Sequence, residues 1–204
     1  MRPGAPSLGP ETILLKRLLA ALLLALAIAV RAESDAMLID DFSRQDFVSK
    51  LGTQWRAVSD RVMGGVSQAS LAYVVVDGNS GLCLTGDVRL DNNGGFIQAA
   101  LDLAPPGQRL DASGYTGMRL VVRGNSQQYS VHLRTPDAVR PWQSYRAHFN
   151  ASPAWETIDL PFDAFVPYRL EPALDTKNLT RMGLVAIGRE FSADLVIARV
   201  SLYR

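Results

Sequence analysis

From residue 37 onward, the apolar residues occur in short runs of β-branched and aromatic side chains. Clusters of glycine, asparagine, aspartate and proline separate these runs, which is the spacing of an antiparallel sandwich or barrel. No long amphipathic helix is evident, apart from one turn near Phe162 to Phe165. The predicted strands cover residues 38–42, 66–76, 82–90, 96–103, 117–123, 129–134, 143–149, 155–161, 183–187 and 191–203.

Three central strands alternate regularly, and successive side chains of a strand face opposite ways. If these strands are neighbours in a meander, one face belongs to the core and the other carries both histidines and no carboxylate. That second face is either an ordinary solvated surface or a groove for a polar or anionic ligand, to which arginines offer fixed forks of donors. With Trp142 from the adjoining loop as a stacking platform, this alternative ligand face comprises Arg119, Arg123, His132, Arg134, Trp142, Arg146 and His148.

Two pairs of adjacent glycines, at 64–65 and 94–95, each precede an apolar run. Adjacent glycines before a strand indicate positive φ angles or a backbone packed too closely for a Cβ atom. Two such corners in a small all-β chain predict neighbouring loops at one end of a sandwich. These loops are either structural turns or a binding surface, because loops on a rigid scaffold often carry function. The candidate residues at this loop end are Asp60, Arg61, Met63, Gly64, Gly65, Ser67, Asn92, Asn93, Gly94 and Gly95.

The first 32 residues resemble an export signal. Lys16 and Arg17 precede an unbroken apolar run from 18 to 30, and a small residue, Ala32, stands where cleavage would fall. Thirteen apolar residues are short for a bilayer span, so an uncleaved N-terminal anchor is the weaker alternative. A mitochondrial presequence is a further alternative. The expected organisation is a signal peptide over 1–32 and one β-sandwich domain over 33–204, which is periplasmic or secreted and touches membrane only if the N-terminal segment is uncleaved.

Composition and motif content exclude several classes of function. The formal net charge is +1, so the chain lacks the basic footprint of a nucleic-acid-binding protein. The single cysteine, Cys83, excludes an internal disulfide and reads as a small buried hydrophobe. No nucleophile elbow, phosphate loop, dinucleotide fingerprint or zinc motif occurs. The sequence therefore predicts no cofactor, no metal and no catalysis.

The run from Trp55 to Ser67, with Asp-Arg-Val-Met-Gly-Gly-Val-Ser at 60–67, resembles the signature of the complex I intermediate-associated protein 30 family. Further landmarks follow in order: Asn-Gly-Gly-Phe at 93–96, the hairpin at 120–124 with Tyr129, the strand from Trp155 to Phe162, then Met182-Gly183 and the closing strand from Phe191. The similarity spans about residues 40 to 201. One departure is Asn125, where the family often has an acid.

The resemblance implies a galactose-binding-like jelly roll, similar in architecture to some carbohydrate-binding modules. The mitochondrial members of this family are assembly factors for respiratory complex I without known catalysis. The expected function is accordingly a non-catalytic, assembly-factor-like module that binds a protein partner through the loop end. The alternative is a carbohydrate-binding module of the cell envelope, with a glycan on the sheet face.

Overall fold

The protein is described here by a computed structural model covering residues 36–204, so the predicted signal segment at 1–32 lies outside the described residues. Met37–Arg204 forms one compact unit built from strands and short 3-10 turns. The strands are β1 (Met37–Asp40), β2 (Arg56–Ser59), β3 (Ser70–Val76), β4 (Asn79–Val88), β5 (Phe96–Asp102), β6 (Gly117–Gly124), β7 (Gln127–Arg134), β8 (Ser144–Ala151), β9 (Glu156–Pro161), β10 (Val166–Tyr168), β11 (Arg181–Ile187) and β12 (Phe191–Tyr203). The 3-10 turns are Asp60–Met63, Asp91–Asn93, Phe162–Ala164 and Thr176–Asn178.

These strands form two antiparallel sheets of six strands each. The first sheet has the order β3-β4-β12-β6-β9, with β1 paired to β12, and the second has the order β10-β8-β7-β11-β5-β2. The predicted all-β antiparallel sandwich is confirmed. Within residues 36–204, no helix is long and apolar enough to cross a membrane.

Alternating side chains of both sheets meet in one core. In β7, Tyr129, Val131 and Leu133 are buried, and in β11 Met182 and Leu184 are buried. Because every second residue of a strand points to the same face, one strand contributes three or four such side chains to the core. Burial of each large apolar side chain stabilises the fold by about 1.5–3 kcal/mol relative to its exposure.

The predicted meander of three strands is wrong. Strand β6 lies in the first sheet between β12 and β9, whereas β7 and β8 pair with each other in the second sheet. The turn at Asn125 carries the chain from one sheet to the other. The Asn125 side-chain oxygen accepts a hydrogen bond from the hydroxyl of Tyr129, and its Nδ2 donates to the carbonyl of Ser192. Alternation shows only that a strand has one buried face, so it cannot decide which sheet the strand joins.

Two strands lie outside the predicted set, because none of their residues is buried and neither carries an alternating apolar pattern. Strand β2 has four residues and β10 has three, and both are edge strands of the second sheet. Pro167 in β10 suits an edge because it has no amide to donate to a neighbour. Both edges matter for the site, because they flank the outer face of that sheet.

Near the start of the domain, Trp55 is buried and its indole donates a hydrogen bond to Asp40 at 2.8 Å. Cys83 is also buried, in agreement with its expected role as a small hydrophobe. Burial, with the nearby Asp194 carboxylate, raises the pKa of the Cys83 thiol to about 11, which keeps it protonated at neutral pH.

Candidate binding groove

The two glycine corners are joined by one buried carboxylate. Asp60 opens the first 3-10 turn and is fully buried. Its oxygens accept hydrogen bonds from the amide and hydroxyl of Ser67 in its own corner, and from the amides of Gly95 and Phe96 in the other corner. The prediction that the two corners lie side by side is therefore confirmed.

The same carboxylate explains why glycines occupy both corners. A Cβ atom at Gly65 would lie 2.4 Å from the Asp60 carboxyl carbon, and one at Gly94 would lie 2.5 Å from a carboxylate oxygen. Gly64 and Gly95 instead require glycine for their φ angles of 90° and 127°. Each pair thus combines one left-handed residue with one close approach.

Burial raises the cost of the Asp60 charge, but the bonds from Ser67, Gly95 and Phe96 outweigh it and lower the pKa of that carboxyl below its ordinary value. Asp60 remains ionised at neutral pH. Its lone pairs face the two corners, so it serves as the link that positions them.

A groove of about 670 Å³ crosses the outer face of the second sheet, next to this link. Its floor comes from the outward positions of β5, β7, β8 and β11. In register across the floor lie Arg146, His132 and Gly183. Gly183 has no side chain to fill the floor, and the side chain of Gln98 lies over it, where it would contact any added Cβ.

Both sets of predicted site residues contribute to this one groove. From the loop end, Met63, Gly94 and Gly95 line it. From the alternative ligand face, the lining includes His132, Arg134, Trp142 and Arg146. The structure thus brings together residues that the sequence analysis treated as competing surfaces.

Other predicted residues lie elsewhere. Arg61, Gly64 and Asn92 are exposed outside the groove lining, Ser67 is buried against Asp60, and Asn93 lies in the second 3-10 turn. His148 is exposed on β8, two residues beyond Arg146, and also lies outside the lining.

Arg119 and Arg123 do not share the ligand face, which corrects the sequence prediction. Both belong to β6 in the first sheet. Arg119 pairs with Asp159 of β9 through two bonds of 2.6 and 2.7 Å, and Arg123 pairs with Asp77 at 3.0 Å. Their face therefore holds carboxylates, contrary to the expectation.

Two aromatic side chains form one wall of the groove. Trp142 is 46% exposed, and within residues 36–204 no aromatic or cationic side chain stacks on its ring. Tyr168, by contrast, has the guanidinium of Arg146 at 3.5 Å from its ring centroid. The segments that carry Trp142 and Tyr168 are joined by a hydrogen bond, in which the side-chain amide of Gln143 donates to the carbonyl of Arg169 at 2.8 Å.

His132 at the groove floor is a neutral group. Burial, together with the charges of Arg146 and His148, lowers the pKa of His132 to about 3. Its Nε2 lies 3.0 Å from the hydroxyl of Ser130. Across the physiological range His132 therefore offers a hydrogen-bonding ring and no charge.

Arg134 and Arg181 have structural bonds of their own. Arg134 donates to the carbonyls of Ala138, Arg140 and Pro141, and so holds the loop that carries Trp142. Arg181 bonds Asp102 at 2.7 Å. Sequence reasoning missed Arg181 and Gln98, since only the pairing of β11 with β5 and β7 shows that they share a face with His132.

Among residues 36–204, no group of three or more His, Cys, Asp or Glu side chains is arranged to hold a metal ion.

A groove on the outer face of one sheet of an antiparallel sandwich is the arrangement of a jelly-roll binding domain. The fold is similar to a family 11 carbohydrate-binding module from Clostridium thermocellum solved with a β-1,3-1,4-mixed-linked tetrasaccharide: TM-score 0.62, 16% identity, 82% of this chain and 95% of that chain. The family 11 carbohydrate-binding module of the cellulosomal cellulase Lic26A-Cel5E of Clostridium thermocellum is similar with a TM-score of 0.63 and 17% identity, over 82% of this chain and 94% of that chain. An exo-β-agarase is similar over 82% of this chain but only 26% of its own, with a TM-score of 0.53 and 11% identity.

The chain is thus a β-sandwich of the fold shared with carbohydrate-binding modules. The sequence pattern of complex I intermediate-associated protein 30 matches residues 41–197, and the chain belongs to that family. No curated protein sequence matches it significantly.

Proposed function

We propose that this protein is a non-catalytic carbohydrate-binding module whose glycan ligand lies in the groove of the second sheet. The observation that carries the proposal is the exposed, unstacked ring of Trp142 beside a floor of hydrogen-bonding groups from Gln98 and His132. Sugar rings present an apolar face and a polar edge, and this wall and floor match the two. The similarity to modules solved with or named for carbohydrate supports the proposal.

The residues lining the groove include no aspartate or glutamate. Glycoside hydrolysis in most families needs a pair of carboxylates on either side of the scissile bond. A groove without carboxylates supports binding without cleavage.

The test is calorimetric titration of the domain with a panel of oligosaccharides, beginning with the β-1,3-1,4-mixed-linked tetrasaccharide. Wild type should bind at least one member, and Trp142→Ala should lose about tenfold or more in affinity, as removal of a stacking platform costs about 1–2 kcal/mol. Arg119→Ala, on the opposite sheet, is the matched control and should bind as wild type does. Equal affinity of the Trp142 and wild-type proteins would contradict the proposal.

A second candidate function, protein binding, is favoured by one observation. Val62, Met63 and Val66 around the first glycine corner are 72%, 49% and 40% exposed. Adjacent exposed apolar side chains are typical of a contact with another protein, and methionine adapts to irregular surfaces. The family is named for association with a complex I intermediate, which is consistent with such a contact.

Mutation distinguishes the two candidate functions, glycan binding and protein binding. Val66→Asp should abolish a stable partner complex and leave glycan affinity within about twofold, because Val66 is exposed at the corner and does not line the groove. Val75→Asp is the control, because Val75 is 64% exposed on the first sheet. A photo-crosslinker placed at position 62 that captures no protein in the cell of origin would remove the second candidate.

We further infer export of the domain, on the apolar run at 18–30 and the small residue Ala32. N-terminal sequencing of the mature protein from fractionated cells should find Glu33 first, in the periplasm or medium. A cytoplasmic protein that begins at Met1 would contradict this.

A further inference from the structure

The groove lining has a net positive charge, whereas the described part of the chain as a whole is neutral. Of the 21 basic and 20 acidic residues of the chain, four and three lie within 1–35, which leaves 17 of each in the described part. The groove lining nevertheless holds four arginines and no acidic residue: Arg134, Arg146, Arg169 and Arg181. A neutral domain has therefore concentrated positive charge on its candidate binding surface.

Little of that charge is neutralised by neighbouring residues. In the described part of the chain, Arg134, Arg146 and Arg169 form no salt bridge. Arg181 pairs with Asp102, but the same carboxylate also bonds Arg56 at 2.8 Å. On the first sheet, by comparison, Arg119 and Arg123 each have a carboxylate partner.

Without a ligand, the surroundings of the groove arginines disfavour their charged state. Burial, then the charge of Arg181, lowers the pKa of Arg134. Burial likewise lowers the pKa of Arg146, with Arg169 adding to the effect and Tyr168 opposing it. Crowded like charges that lose solvent are stabilised by an anion between them.

Arg146 is held in position for such an anion. Its side chain lies over the Tyr168 ring, and its Nε donates to the hydroxyl of Ser144 at 3.1 Å. One of the two outer guanidinium nitrogens, Nη2, donates to the backbone carbonyl of Trp142 at 3.4 Å. A guanidinium fixed in this way presents a planar fork that suits a carboxylate.

We propose that the ligand of the groove is an acidic oligosaccharide, with a sugar ring against Trp142 and its carboxylate bound by Arg146 within the arginine cluster. This inference rests on the proposed glycan-binding function and names its ligand class. The ring and the carboxylate of a uronic acid unit are close together, as are the Trp142 loop and Arg146.

The experiment compares a short oligouronide with the same oligosaccharide after chemical reduction of its carboxylates to alcohols, by calorimetry at low and at moderate salt. Wild type should bind the acidic form about tenfold or more tightly, with an affinity that falls as salt rises. Arg146→Gln should remove most of that preference and Arg146→Lys should restore part of it, while Arg123→Gln on the other sheet should change nothing.

Equal binding of the acidic and reduced forms would overturn the acidic preference and leave the glycan-binding proposal standing. Binding of a sulfated oligosaccharide without the oligouronide would overturn the carboxylate assignment. Failure of wild type to bind any charged or neutral member would overturn both proposals. Thermal melts of the Arg146 variants identify any loss that comes from unfolding.

Discussion

The amide of Gly95 donates a hydrogen bond to the carboxylate of Asp60, thirty-five residues earlier in the chain. The bond joins two corners that each contain a glycine pair, and it fixes the backbone that borders the groove. Asp60 is therefore a structural anchor for the site, and its replacement should lower the free energy of unfolding.

Asp60→Asn should lower the free energy of unfolding by about 2–4 kcal/mol, because it places an amide donor against amide donors and leaves buried groups unpaired. Urea denaturation at neutral pH measures the loss. Asp91→Asn is the matched control, since the Asp91 carboxylate is 53% exposed and its ion pair with Arg89 is worth little. Similar losses in the two variants would contradict the anchoring role.

The same pair of proteins makes a pH prediction. The folded-state pKa of Asp60 is lowered from 3.8, so its contribution to stability is present above that value and is lost as the pH falls through the lowered one. The stability difference between wild type and Asp60→Asn should therefore shrink below about pH 3.8. A difference that stays constant into strong acid would be inconsistent with an ionised Asp60.

Gly65→Ala should destabilise the fold by about 2–3 kcal/mol, because the added methyl group would overlap the fully buried Asp60 carboxyl. Gly114→Ala is the control: a Cβ there has nothing within 4 Å, and its φ is not in the left-handed region. The control should be neutral or slightly stabilising, since alanine restricts the unfolded chain. Melting temperatures that change equally would show that space at Gly65 is not limiting.

His132 should make stability fall in mild acid. The unfolded histidine takes up a proton near pH 6.5, whereas the folded one does so only near pH 3, so below pH 6.5 the unfolded state binds more protons. Wild type should lose about 1–2 kcal/mol from this group by pH 5, and His132→Gln should show a flatter profile. A slope in His132→Gln as steep as that of wild type would contradict the neutral state of His132 in the groove floor.

Arg119→Ala should cost at most about 1 kcal/mol, even though its two bonds to Asp159 are short, because the pair is 39% and 43% exposed. It should leave ligand affinity unchanged, since Arg119 lies on the opposite sheet from the groove. A large loss of binding in this variant would mean that the ligand occupies the first sheet instead. Double-mutant analysis with Asp159→Ala separates the ion pair from packing on Tyr203.

Much of the architecture could be predicted from the sequence. Period-two runs between turn residues predicted most strands, because a half-buried strand must alternate whatever its neighbours are. The glycine pairs at 64–65 and 94–95 predicted special backbone, since few other residues tolerate those conformations. The edge strands β2 and β10 were missed because none of their residues is buried, so neither shows an apolar alternation.

The chain alone determined that this is an all-β domain with two constrained corners and an outward row of arginines and histidines. Tertiary structure decided which of those side chains share a surface. Arg119 and His132 both alternate outward, yet they lie on different sheets, whereas Met63 and Trp142 are distant in sequence and line one groove. The physical reason is that alternation depends on burial within a strand, while the membership of a site depends on long-range pairing such as β7 with β11 and on the contact of Asp60 with Gly95.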